Sequence, residues 1–104
     1  MMIDNFSKHY QNERSERERF IQENIGLGDE IYSFEYNYNG ATQIHKLTDT
    51  GIINVYGRDG ERLITRLVAR PQQIKRLFEA RGERAPRHLV RLADEHARKN
   101  FNEI

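Results

Sequence analysis

Four aromatic residues alternate at Tyr32, Phe34, Tyr36 and Tyr38, and Asn39-Gly40 follows directly. A period of two puts all four rings on one face of a strand, because successive side chains leave a pleated chain on opposite sides. Asn-Gly is the preferred pair for a two-residue type I′ turn, since both residues tolerate positive φ. Together these features predict a hairpin of defined register. Tyr38 faces Ala41, Tyr36 faces Gln43, Phe34 faces His45 and Tyr32 faces Leu47, while Glu35 meets Ile44 and Ser33 meets Lys46 on the other face.

The rest of the chain arranges itself around that hairpin. Asp49-Thr50-Gly51 turns into a third strand, Ile52 to Gly57, and Asp59-Gly60 leads into a fourth, Arg62 to Ala69. The fourth strand is apolar at Leu63, Ile64, Leu67, Val68 and Ala69, as a central or well-covered strand would be. Before the sheet, a helix is expected from about Asp4 or Ser7 to Asn24, with Gly26 and Gly28 ending it. On a helical wheel Phe6, Tyr10, Ile21 and Asn24 share one stripe, and Arg14 and Arg17 fall on it too. After the sheet, Pro71 opens a helix that buries Ile74, Leu77 and Phe78 and closes at Gly82. Pro86 opens a last helix with Leu89, Val90, Leu92, Ala93, Ala97 and Phe101 on one stripe. The expected architecture is α+β: an N-terminal helix, a four-stranded antiparallel meander and two C-terminal helices, the helices packed on one sheet face. At 104 residues, without repeats or linkers, residues 1–104 are expected to form a single domain.

Composition narrows the chemistry. No cysteine is present, which excludes disulfides, thiolate catalysis and cysteine-ligated metal. The four histidines, His9, His45, His88 and His96, have no metal-ligand spacing, so no metal or cofactor is expected. Walker A, GxGxxG, HExxH, EF-hand and GxSxG patterns are all missing. No apolar run approaches a membrane span and none near Met1 resembles a leader, so a cytoplasmic location is expected. The formal charge of +1 hides an asymmetry: residues 1–60 hold six basic and ten acidic side chains, and residues 61–104 hold eleven and six. Nine of those eleven cations are arginine, the side chain suited to bidentate contacts with phosphate or carboxylate. A basic C-terminal half fits either a partner such as RNA or an acidic protein surface, or a solvated helix pair with salt-bridged faces.

Three groups of residues are candidates for function. The aromatic row is either the core face of the sheet or a platform for stacking single-stranded bases. His45 shares that face, as a packed side chain or at the mouth of an aromatic pocket. Arg14 and Arg17, with Arg66 and Arg70, either converge on an anion or are neutralised by Glu35 or the run Glu13, Glu16, Glu18, and Arg76 is a further candidate contact to nucleic acid.

The stretch from Ile44 to Pro71, IHKLTDTGIINVYGRDGERLITRLVARP, resembles the core of the RelE and barnase/EndoU-type small ribonucleases and toxins. The likeness lies in a histidine on one strand, a glycine-led hairpin and a strand bearing Thr-Arg. Metal-independent RNA cleavage is the activity this resemblance implies, with His45 as acid or base, Thr65 and Arg66 on the phosphate, and Arg14 or Arg17 in support. The segment LITRLVARPQQIKRLFEARG also looks like small uncharacterised bacterial and phage proteins. Two other readings stay open. One is a non-catalytic adaptor or homodimer using the basic helices, which calls for a cluster of exposed apolar residues, for instance Phe78, Leu92 or Phe101. The other is a DNA-binding helix-turn-helix from Pro71 to Phe101.

Overall fold

The computed structural model describes residues 15–101. Helix α1 covers residues 15–24. The strands β1 (Glu30–Tyr38), β2 (Ala41–Thr48), β3 (Ile52–Tyr56) and β4 (Leu63–Val68) form one antiparallel sheet in the order β1-β2-β3-β4. Helices α2 (Pro71–Glu79) and α3 (Arg87–Arg98) complete the α+β architecture. The expected start of α1 at Asp4 or Ser7, its residues Phe6 and Tyr10, and the candidate Arg14 lie outside the described residues.

The hairpin register is the one that alternation and Asn-Gly require, with Tyr36 on Gln43 and Phe34 on His45. Asn39 and Gly40 take φ of 50° and 80°, the left-handed pair of a type I′ turn. β3 pairs with β2 only from Ile44 to Leu47. The tip of the β1–β2 hairpin therefore extends past β3 as a two-stranded arm.

The helices do not share one face of the sheet, contrary to the expectation above. α2 and α3 cover the aromatic face, where Phe34, Leu47, Ile53, Val55, Ile74, Leu77, Phe78, Leu89 and Ala93 form the main core. α1 lies against the opposite face, with Ile21 buried on Ile52 and Val68 and with Ile25, Leu27 and Phe101 around them. The physical reason lies in β3. Its run Ile52 to Val55 is buried on both faces, and a strand apolar on both sides needs a cover on both. Among the described residues β4 pairs with β3 alone, so its apolar content reflects coverage of its faces and not a central place. One extra residue, Ile64, bulges from β4 between the pairs Val55–Thr65 and Tyr56–Leu63. Asn24 is exposed and bonds back to the Phe20 carbonyl (3.0 Å) instead of joining the inner stripe.

His96 is a buried member of the α3 stripe with Leu89 and Ala93. Its Nε2 lies 2.9 Å from the Thr50 carbonyl, and a carbonyl can only accept, so Nε2 carries the proton. Gly51 makes this approach possible: a Cβ there would sit 3.3 Å from the imidazole, and its φ is +86°.

Candidate functional site

The aromatic row divides. Tyr32 and Phe34 pack edge-on to Phe78 of α2, at 4.9 and 5.0 Å between ring centroids. Tyr36 and Tyr38 extend beyond the helix and are 43% and 58% exposed. A nine-residue strand is about 30 Å long and a nine-residue helix about 14 Å. α2 can therefore cover only part of β1, and the tyrosines nearer the turn stay open.

Those tyrosines form one wall of a cleft of about 330 Å³ between the arm, β4 and α2. Its floor is apolar, built from Ile53, Val55, Leu67 and Leu77. His45 stands in the wall with its ring stacked on Tyr36, at 4.7 Å and 24° between planes. Its Nε2 lies 3.2 Å from Gln43 Oε1, which can accept its proton. Burial pushes the His45 pKa below its ordinary value, so the imidazole is neutral at physiological pH and offers one donor and one acceptor. Polar groups from three elements complete the rim: Gln43 from β2, Thr65 from β4, and Gln73 and Arg76 from α2. Gln73 is held by its Oε1, which accepts the Arg70 backbone N–H at 2.8 Å.

Tyr36 and Arg76 also line a second recess of about 370 Å³ running along β1 beside α2. Its far end is closed by Arg81, which donates to the Ser33 carbonyl (3.3 Å), caps the Phe34 ring and pairs with Glu83. Tyr36, Arg76 and Leu77 line both compartments.

The candidate residues are not all brought together. His45, Thr65 and Arg76 share the cleft. Arg66 does not: as the neighbour of Thr65 in a strand it points to the other face, where it pairs with Glu18 at 2.6 Å and donates to Asn54 at 3.0 Å. The grouping of His45, Thr65 and Arg66 around one phosphate is thereby corrected. Arg17 does lie on the inner stripe of α1, its guanidinium 3.4 Å from Thr65 Oγ1 and from the Arg66 carbonyl. It reaches the edge of β4 from behind the cleft. Arg70 is exposed at the N-cap of α2 and does not line the cleft.

Gln43, Gln73 and Ile64 are cleft residues that sequence reasoning missed. The register could have given Gln43, since it sits opposite Tyr36. Gln73 follows from a three-residue spacing to Arg76 on α2. Among the described residues no group of three or more histidine or carboxylate side chains is placed to hold a metal ion. No helix there is long and apolar enough to cross a membrane. Comparison with protein-family models, with curated proteins and with solved structures finds no match.

Proposed function

We propose that this protein binds single-stranded RNA, taking bases into the cleft between the hairpin arm and α2. The observation that carries the reading is the stack of solvent-exposed Tyr36 on neutral, half-buried His45, over an apolar floor with Arg76 on the rim. An unstacked base needs a π-face to replace its lost neighbours, hydrogen-bonding groups at its edge and a cation for its phosphate. Tyr36 and Tyr38 offer the first, Gln43, His45 and Gln73 the second, and Arg76 the third.

Of the three residues proposed for cleavage, His45 and Thr65 face the cleft while Arg66 is committed to Glu18 and Asn54 on the opposite face. The adaptor alternative calls for a cluster of exposed apolar residues. Of its examples, Phe78 is buried and Leu92 and Phe101 are half-buried, while the exposed apolar side chains Tyr36, Tyr38 and Ile64 lie at the cleft itself.

The test is a titration of fluorescently labelled single-stranded RNA with the wild type and with Tyr36→Ala and Tyr38→Ala. Each variant should lose about 1–3 kcal/mol of binding free energy, the usual worth of one stacked base. The same RNA, incubated with a chelator and the wild type or His45→Ala, shows whether binding leads to cleavage. Wild-type protein that leaves RNA unbound would sink the proposal.

A further inference from the structure

A further groove, about 910 Å³, is formed by α2, α3 and the turn that joins them, and is lined by charge where the tyrosine cleft is lined by rings. Lys75 of α2, Arg84 of the connecting turn, and Arg87 and Arg91 of α3 all face it. Three carboxylates face it as well, but two of them are already engaged. Glu83 pairs with Arg81 at 3.1 Å, and Arg81 is anchored on β1; Asp94 pairs with Arg98 at 3.0 Å, one turn further along α3. Only Glu79 is left against four cations, none of which has an ion pair among the described residues. Arg87 and Arg91 moreover sit four residues apart on one helix face, a spacing at which like charges repel. The positive end of α3 adds to the field, because its N-cap is Pro86 and its first turn holds no acid.

We infer that this groove holds the sugar–phosphate backbone of an RNA strand, extending the footprint of the tyrosine cleft across α2. The inference rests on the RNA reading above. An acidic protein segment is the other polyanion that fits the charge, but a protein partner is anchored by an aromatic or large aliphatic side chain in an apolar pocket. Here the apolar lining is only Pro71, Ala85 and Val90. Three of the four cations are arginines, whose forked donors match phosphate oxygens. Lys75 and Arg76 are consecutive on α2, one facing each site. A strand passing over a helix about 10–12 Å wide would meet both.

The experiment uses the full chain with three probes: a dinucleotide, a single-stranded RNA of about 12 nucleotides and poly-glutamate. The double variant Arg87→Gln/Arg91→Gln is compared with Tyr36→Ala and with the wild type, and circular dichroism confirms that each is folded. The groove variant should bind the longer RNA more weakly, with the slope of log affinity against log salt reduced by about 1.4, the release expected for two single-strand phosphate contacts. Its dinucleotide affinity should be unchanged, whereas Tyr36→Ala should weaken both RNAs. A groove variant that binds the longer RNA as tightly as the wild type overturns the inference and leaves the cleft reading standing. Long RNA bound through Arg87 and Arg91 without any dinucleotide binding supports the groove and removes the cleft. Poly-glutamate binding that depends on those arginines, with RNA ignored, overturns both in favour of a protein partner.

Discussion

The Tyr36 ring covers one face of the His45 imidazole at 4.7 Å, so a titratable group in the cleft is shielded by a side chain that is itself open to solvent. Burial holds the His45 pKa below 6.5, while in the unfolded chain it returns to that ordinary value. Between the two, the unfolded state binds more protons than the folded one. His45 therefore costs the fold nothing above about pH 6.5 and destabilises it as pH falls through that window. The melting temperature of the wild type should fall between about pH 7.5 and about pH 5 by more than that of His45→Gln. Parallel curves for the two proteins would show that His45 is not sheltered in the folded state.

A second prediction concerns the turn joining β2 to β3. Thr48 is fully buried, and its Oγ1 accepts the backbone N–H groups of Thr50 (3.3 Å) and Ile52 (3.1 Å). Thr50 Oγ1 in turn donates to the Gly26 carbonyl at 2.8 Å, tying this turn to the exit of α1. Thr48→Val keeps the shape and removes the acceptor, leaving the buried Ile52 amide unpaired. The cost should be about 1–3 kcal/mol in urea unfolding. Thr48→Ser keeps the oxygen and should cost clearly less.

How much of this was legible in the residues follows from the same relationships. Period-two alternation and Asn39-Gly40 were sufficient for the hairpin register, and helical periodicity turned Arg17 towards the sheet, where it meets β4. The same alternation separates Thr65 from Arg66, so a site using both side chains on one face was never compatible with an unbroken strand. His96 follows Leu89 and Ala93 at positions i, i+4 and i+7, which is a core stripe, yet a histidine there reads more readily as surface. The run Ile52 to Val55 carried the information that both faces of the sheet are covered. What no pattern could supply is the groove between α2 and α3. It depends on how the turn from Ala80 to Ala85 sets one helix beside the other, and on which carboxylates are drawn off to Arg81 and Arg98.

The third prediction tests the cover on the second face. Ile21 is fully buried and is the residue through which α1 meets Ile52 and Val68. Ile21→Ala should destabilise the protein by about 2–5 kcal/mol, as aliphatic truncations in a packed core do. Phe20, half-buried and edge-on to Phe101 at 5.3 Å, should tolerate Leu at a much smaller cost. Chemical denaturation of both variants checks the orientation of α1. Equal, small losses would mean that α1 does not close this face.

The last prediction concerns the polar network beside that helix. Asn54, only 5% exposed, accepts from Arg66 Nε at 3.0 Å and donates to Glu30 Oε2 at 2.9 Å. The Tyr56 hydroxyl donates to the same Glu30 oxygen at 2.6 Å, and Arg66 continues to Glu18. Partial burial alone would push the Glu30 carboxyl up. The hydrogen bonds from Tyr56 and Asn54, with the charges of Lys46 and Arg66, outweigh it and hold the pKa below the ordinary 4.5. The same bond raises the Tyr56 phenol above 10.0, because losing its proton would set two anions together. A carboxyl whose folded pKa is depressed contributes its stability above the unfolded value, and loses that contribution as pH falls through the folded one. Glu30→Gln should therefore be less stable than the wild type at neutral pH, and the gap should close on acidification below about pH 4. Urea unfolding of the two proteins across that range measures it. A gap that stays constant with pH would show that packing, and not the charge on Glu30, holds β1 to β3 at this corner.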